Sequence, residues 1–261
     1  MARQVGTPYS RHLTLAPHTH TRAGIGYGVS EALLEHGSIV TISSSNPDRV
    51  AKTVESLKKL YPSASDHISG HACNLGDQAT VEDNIKALFE KVGTLDHVVY
   101  TAGDQLATMP LGDATMDKMI KAGMVRFFAP LLVAKLAPKY LSGGPKSSIT
   151  LTTGAVSERP IPDWSVMGSF ATGLQGMCRG LALDLKPIRV NLISPGAVDT
   201  ELWAHMTEEE RKGMFKQMGE KLPTGQVGKV EDVVFSYLGL IQDYNATGKF
   251  DRGLTVVDAV C

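Results

Sequence analysis

Hydrophobic and polar positions follow two alternating patterns from about residue 24 to residue 242. Short apolar runs with the spacing of buried strands occur at 38–43, 67–73, 97–101, 148–153 and 189–194. Between them, apolar residues recur every three or four positions, which predicts helices at 26–36, 49–60, 116–141, 165–185 and 231–242. The segment 200–225 is rich in Met, Glu and Lys, and we expect it to form a helical flap beside the carboxyl edge of the sheet.

Repeated strand–helix units of this length predict right-handed crossovers and a parallel sheet that is covered by helices on both faces. The expected fold class is therefore α/β, a single Rossmann-type, doubly wound domain. A chain of 261 residues fits one such domain. We place it at 24–261, with an atypical N-terminal segment at 1–23.

Composition and charge narrow the classes of partner. The formal net charge is -1 and there is no run of Lys or Arg, which argues against nucleic acid or an anionic membrane as a partner. No apolar stretch approaches the ~20 residues of a membrane span. Cys73, Cys178 and Cys261 are widely spaced, which suits a reducing cytoplasm. The sequence thus predicts a cytoplasmic protein that binds a small molecule.

Three histidines near the N-terminus raise the question of a metal site. His12, His18 and His20 have no carboxylate or cysteine beside them, so we expect a surface loop there and no metal.

Several motifs, in the same order along the chain, resemble those of the short-chain dehydrogenase/reductase (SDR) family. A glycine-rich turn ends in Gly24-Ile25-Gly26, although His20 stands where the family has its first glycine. Thr101-Ala102-Gly103 follows a predicted strand, and Arg189-Val190-Asn191 leads into a Pro-Gly-x-Val-x-Thr run at 195–200. The resemblance covers about 24–248 and is most specific at 189–200.

The resemblance implies a nicotinamide dinucleotide. NAD enzymes of this kind carry an Asp for the ribose 2′-hydroxyl where this chain has Ser44, and Arg49 lies nearby, so NADP(H) is the expected cofactor. The residues implied to bind it are Gly24, Ile25, Gly26, Ser44, Ser45, Asn46, Arg49, Asn74, Leu75, Ala102, Gly103, Pro195, Gly196, Val198 and Thr200.

The proton-transferring residues of the family are missing. There is no Tyr between Tyr140 and Tyr237, and no Lys between Lys146 and Lys186. One alignment puts Met167 and Ala171 at the Tyr and Lys positions, and another puts Val166 and Phe170 there. A threonine hydroxyl, from Thr152 or Thr153, remains where the family has Ser, and Gly123 falls about where it has Asn.

Other residues are candidates to replace that chemistry: Arg126, Thr153, Asp163 and Trp164. Arg126 interrupts an apolar run, so it should be partly buried and need an acceptor. Asp163 and Trp164 lie in the loop before the helix that is catalytic in the family. A carboxylate stabilises a cation, and reduction of an iminium (C=N⁺) group needs hydride but no proton.

The chain is also similar to fungal secondary-metabolism reductases, among them the atypical reductase/Diels–Alderases of malbrancheamide-type alkaloid pathways, in which an Arg and an Asp replace the usual residues. This similarity implies an NADP-dependent oxidoreductase that acts on a small secondary metabolite as a homodimer or homotetramer. Two alternatives remain open, a catalytically inactive binding or regulatory protein and a non-redox cyclase or isomerase.

The N-terminal segment departs from the family pattern. A β-carbon at position 20 costs roughly 1–2 kcal/mol if the turn needs positive φ, and Pro17 makes 11–17 a poor central strand. Wrongly joined exons or true divergence would each explain it.

Overall fold

The fold is described from a computed structural model that covers residues 10–15, 24–203 and 206–251. Its strands are β1 (Arg11–Leu15), β2 (Ile39–Ser44), β3 (Ile68–Ala72), β4 (His97–Tyr100), β5 (Ser148–Thr152), β6 (Arg189–Ile193) and β7 (Phe250–Asp251). Its α-helices are α1 (Ile25–Glu35), α2 (Pro47–Leu60), α3 (Val81–Val92), α4 (Met116–Gly123), α5 (Ala129–Leu136), α6 (Ser165–Asp184), α7 (Glu208–Glu220) and α8 (Val230–Gln242).

The strands form one parallel sheet in the order β3-β2-β1-β4-β5-β6-β7. Connections from β1 run outward to β2 and β3, and the chain then returns to the other side of β1 as β4. This reversal opens a crevice at the carboxyl ends of β1 and β4, which is where doubly wound sheets bind ligands. The expected α/β class and Rossmann-type sheet are confirmed.

Two apolar layers enclose the sheet. Helices α3, α5 and α6 cover one face through buried residues such as Phe89, Val133 and Leu174. Helices α1, α2 and α8 cover the other through residues such as Leu33, Leu57 and Tyr237. Because both faces are covered, the central strands β4, β5 and β6 are buried along almost their whole length, including the polar Thr150 and Asn191. Among the described residues, no helix is long and apolar enough to cross a lipid bilayer.

The buried Arg189 at the start of β6 ties the sheet to the end of α8. Its Nη1 donates to the Leu240 carbonyl oxygen at 2.6 Å and its Nη2 to that of Ile241 at 2.9 Å. Its Nε donates to the Pro145 carbonyl oxygen at 2.6 Å. The last carbonyls of a helix have no partner within the helix, so one side chain completes α8 and holds it on the sheet.

A pair of buried histidines lies inside the sheet. His12 on β1 stacks on His97 of β4 with ring centroids 4.7 Å apart. His12 bonds the Ser10 hydroxyl and His97 the Ser148 hydroxyl. The expectation of a surface loop at His12 is therefore wrong, while His18 and His20 lie outside the described residues. Within the part of the chain that the structure describes, no group of three metal-ligating side chains occurs.

The predicted elements differ from the observed ones at three places. The helix expected at 116–141 is broken by a π-turn at Met124–Phe128 between α4 and α5. The amphipathic α3 was not predicted, and the segment judged a poor strand forms β1, which ends before Pro17. The expected flap contains a short 3₁₀ turn (Glu201–Trp203) and α7.

Candidate active site

A cavity of about 270 Å³ opens at the carboxyl ends of β4, β5 and β6. The residues that follow these strands form its floor, namely 101–102, 152–155 and 195–197. Ile161 and Trp164 line it from the loop before α6, and Leu202, Trp203 and Met218 line it from the flap. Most of these side chains are apolar, so the cavity suits a small, largely apolar molecule.

Arg126 lines this cavity from the π-turn, an element that is frequent at functional sites. Its Nε lies 3.1 Å from a carboxylate oxygen of Asp104, and its Nη2 donates to the Asp104 main-chain oxygen. Its side chain is 22% exposed and that of Asp104 is 32% exposed. Burial lowers the pKa of the Arg126 guanidinium, and the Asp104 carboxylate opposes that change. Arginine still stays protonated in proteins, so the pair has two compensating charges.

Gly103 allows this pairing. A β-carbon there would lie 2.8 Å from Nη2 and 2.9 Å from Nη1 of Arg126, so the guanidinium packs directly on the backbone. The Thr101-Ala102-Gly103-Asp104 segment thus supplies both a close approach and a counter-charge.

Hydrocarbon side chains line the cavity at the positions where the sequence predicts the replaced Tyr and Lys of the family. Met167 and Ala171 line the cavity, as does Phe170, whereas Val166 is not among the lining residues. The structure therefore favours the alignment with Met167 and Ala171. The Thr153 hydroxyl donates to the Ala171 carbonyl oxygen at 2.9 Å. Of the described residues that line the cavity, none is Tyr, Lys, Asp or Glu.

Aromatic rings also fill the place of the missing asparagine. A β-carbon on Gly123 would lie 2.7 Å from the Phe170 ring and 2.8 Å from the Phe128 ring. A larger side chain at position 123 would displace those rings.

Asp163 lies at the tip of a tight turn rather than in the cavity. The Trp164 amide donates to the Ile161 carbonyl oxygen at 3.2 Å, so Pro162 and Asp163 are the central residues of this turn. Asp163 has a φ of 65°, the conformation that the third position of a type II turn requires. Both central residues are exposed, while Ile161 and Trp164 line the cavity. The carboxylate that pairs with Arg126 is that of Asp104, and the catalytic role expected of Asp163 stays a prediction.

The nucleotide half of the crevice fits a phosphorylated dinucleotide. Gly24, with a φ of 108°, precedes α1; among the described residues no side chain caps that helix, and its first turn contains no acidic residue. Its amides and dipole are therefore available to a pyrophosphate. At the end of β2, Ser44 Oγ and Arg49 Nε are buried without a hydrogen-bond partner among the described residues. These two donors suit a 2′-phosphate on the ribose.

Other predicted cofactor residues have local structural contacts. Asn46 caps α2 by accepting the Arg49 amide at 3.0 Å, and Asn74 accepts the Gly76 amide at 3.0 Å. Leu75 is buried in the hydrophobic core. Ile25 and Gly26 are the first residues of α1, and Ser45 precedes Asn46.

The loop after β6 is joined to the flap. The Trp203 indole donates to the Val198 carbonyl oxygen at 3.1 Å and packs edge-on against Phe215. An ion pair of 3.7 Å connects Asp199 with Arg211 on α7. Thr200 accepts the Leu202 amide at 3.4 Å, so the loop positions the flap over the cavity.

Asp104 is the residue that the sequence analysis missed. A signal was present, because a carboxylate directly after a strand end lies at the ligand-binding edge of a parallel sheet. The family motif covers Thr101-Ala102-Gly103 and ends one residue before Asp104.

A doubly wound parallel sheet with an apolar cavity at its carboxyl edge defines the class of protein, a dinucleotide-binding α/β fold. A family model described as an SDR-like Rossmann domain matches residues 15–257. The chain therefore belongs to the short-chain dehydrogenase/reductase family, and it is an oxidoreductase of that family.

Fungal relatives are similar over most of their length. The short-chain dehydrogenase/reductase fsr5 of Gibberella fujikuroi is 45% identical over 234 residues, 87% of each chain. The short-chain dehydrogenase/reductase malC of Malbranchea aurantiaca is 35% identical over 231 residues, again 87% of each chain. The solved structure of MalC reductase/Diels-Alderase from Malbranchea aurantiaca superposes with a TM-score of 0.87 at 32% identity, covering 96% of this chain and 97% of that one.

Proposed function

We propose that this protein is an NADP(H)-dependent reductase that transfers hydride to an iminium group of a small, largely apolar secondary metabolite. The single observation that carries the proposal is the composition of the cavity wall. Hydrocarbon side chains, Met167 and Ala171, stand at the positions where the family has its acid and its lysine. The two named fungal relatives, one of them solved as a reductase/Diels-Alderase, support this choice of reaction class.

The cofactor half of the crevice supports NADP(H). When bound, the dinucleotide supplies the hydride. The α1 amides after Gly24 would hold its pyrophosphate, and Ser44 and Arg49 would hold the ribose phosphate. On the other side, Ala102, Pro195 and Gly196 form the wall of the cavity in which the substrate lies beside it.

Among the described residues that line the cavity, none is a proton donor suited to ketone reduction. Arg126 does not release its proton near neutrality, and the Thr153 hydroxyl already donates to the Ala171 carbonyl oxygen. A ketone needs a proton on its oxygen as hydride arrives, and loss of a general acid costs ~10²-fold or more. An iminium carbon accepts hydride without a proton, so the lack of a general acid in this wall should slow iminium reduction little.

Charge compensation makes the cavity tolerant of a cation. The Arg126 charge would repel an iminium in a dry pocket, but Asp104 lies 3.1 Å from its Nε. The pair has no net charge. A cationic substrate therefore meets apolar walls and a dipole rather than an isolated guanidinium.

A matched pair of acceptors tests the proposal. We expect NADPH oxidation with an N-methyl dihydroisoquinolinium ion, and a rate at least ~100-fold lower with tetralone, a ketone of the same bicyclic size. Because this iminium has a fixed charge, its kcat should vary little between neutral and mildly alkaline pH. NADH in place of NADPH should give a higher KM. Equal rates with the two acceptors, or none with the iminium, would overturn the proposal.

A further inference from the structure

One nitrogen of the Arg126 guanidinium makes no hydrogen bond to the residues that the structure describes. Its Nε donates to the Asp104 carboxylate and its Nη2 to the Asp104 main-chain oxygen. Nη1 has no hydrogen-bond partner among the described residues, and Arg126 lines the cavity. A guanidinium is a planar fork with fixed directions, so two anchored nitrogens determine where the third one lies.

The chemistry of the pair selects the kind of acceptor. A bare arginine prefers a carboxylate or a phosphate. Here the Asp104 carboxylate already compensates the charge, so an anionic ligand would meet a second carboxylate behind the guanidinium. A neutral oxygen with available lone pairs, such as a ketone, amide or lactam carbonyl, gains the hydrogen bond without that repulsion.

We infer that the substrate carries a neutral carbonyl oxygen that accepts a hydrogen bond from Nη1 of Arg126, and that Asp104 is the positioning residue that orients the guanidinium and cancels its charge. The inference deepens the proposed function by naming a second group of the substrate, and it rests on that function only for the identity of the reacting group.

Binding measurements test the inference without any hydride transfer. The probes share one bicyclic skeleton: tetralone with a carbonyl, tetralin without one, and tetralin carboxylate with an anion. Dissociation constants are measured by calorimetry or ligand-observed NMR on full-length protein saturated with NADP⁺. Tetralone should bind wild type about tenfold more tightly than tetralin, the range of a hydrogen bond to a charged group. Tetralin carboxylate should bind no better than tetralone.

Three substitutions distinguish a positioning role from a merely structural one. Arg126→Met should reduce the tetralone-to-tetralin ratio to about one, and Arg126→Lys, which keeps the charge but not the fork, should restore little of it. Asp104→Asn leaves an uncompensated guanidinium, so the carboxylate probe should gain at least several-fold in affinity while tetralone loses. General damage to the fold would weaken all three probes together, and circular dichroism and thermal unfolding of each variant check for it.

Three results would overturn the inference: equal affinity of tetralone and tetralin for wild type, persistence of the ratio in Arg126→Met, or a wild-type preference for the carboxylate. These outcomes are distinct from failure of the proposed function. Carbonyl-dependent binding with no iminium turnover would contradict the proposed reaction and support the carbonyl site at Arg126. Iminium turnover without carbonyl-dependent binding would support the reaction and contradict the site.

Discussion

Residues of the loop before α6 differ in whether they line the cavity. Ile161 and Trp164 line the cavity, while Pro162 and Asp163 between them form the exposed tip of a turn. The turn geometry explains the separation, because proline fixes the second position and the third needs positive φ. Aspartate tolerates that conformation better than most residues. The structure therefore gives Asp163 a conformational role at this turn.

A conservative substitution tests whether the Asp163 carboxylate acts on the substrate. Asp163→Asn keeps a side chain that tolerates positive φ and removes only the charge. We expect kcat/KM for the iminium probe to change by less than about threefold, because an exposed charge is screened by water and salt. Steady-state assays at low and at physiological ionic strength measure it. A tenfold decrease at both would show that the carboxylate reaches the substrate.

At the scale of helices and strands, contacts at helix ends and at the turn between two helices organise the fold. The π-turn separates α4 from α5 and presents Arg126, and the rings of Phe128 and Phe170 crowd Gly123 beside it. At the opposite edge of the sheet, Arg189 completes the end of α8 with two hydrogen bonds. The hydrogen bonds of Arg126 and Arg189 are polar contacts, and a sequence pattern of apolar positions does not report them.

Arg189 should contribute far more to the free energy of unfolding than an exposed arginine does. Arg189→Met removes the donor from the carbonyl oxygens of Pro145, Leu240 and Ile241, and the last two residues are buried. We expect a loss of about 3 kcal/mol or more in the free energy of unfolding. Chemical denaturation followed by circular dichroism measures it.

The matched control is Arg179→Met on the exposed face of α6. It should stay within about 0.5 kcal/mol of wild type. Similar losses in the two variants would contradict the role assigned to Arg189.

The sheet as a whole encloses a pair of titratable groups. Burial lowers the pKa of His97 to about 3, and the nearby Arg189 charge adds to this. Burial also lowers the pKa of His12 well below its ordinary value, with His97 as a second cause. Both imidazoles are therefore neutral in the folded protein, and the unfolded chain binds protons more readily.

This difference predicts an acid-sensitive fold. Stability from the two histidines is complete above pH 6.5, the ordinary pKa, and is lost as the pH falls toward the lower folded-state values. Each contributes about 1.4 kcal/mol per pH unit in that window. We expect urea denaturation to show about 3 kcal/mol less stability at pH ~5.5 than at pH ~7.5.

The variant His97→Gln should lose about half of this pH dependence, whatever its stability at neutral pH. An unfolding free energy that is the same at both pH values in wild type would contradict the assignment.

The predictability of the fold and of the site differs for physical reasons. Strand and helix spacing placed β2 to β6 and α8 within one or two residues, because those segments are buried on a regular period. The pairing of Arg126 with Asp104 joins residues 22 positions apart, and no local pattern encodes it. The segment of β1 was predicted to be a poor strand because Pro17 was counted within it, whereas the strand ends at Leu15. The buried state of His12 depends on β4, a neighbour brought beside it only by the sheet order.

The π-turn at Met124–Phe128 has a consequence for how the gene can change. A wide turn of this kind is the structural form of a single extra residue within a helix. Removal of one codon from this stretch would restore ordinary winding and leave α4 and α5 each on its present neighbours. Side chains of the turn itself, Arg126 among them, would move to another face. One in-frame deletion could therefore convert the site without disturbing the scaffold.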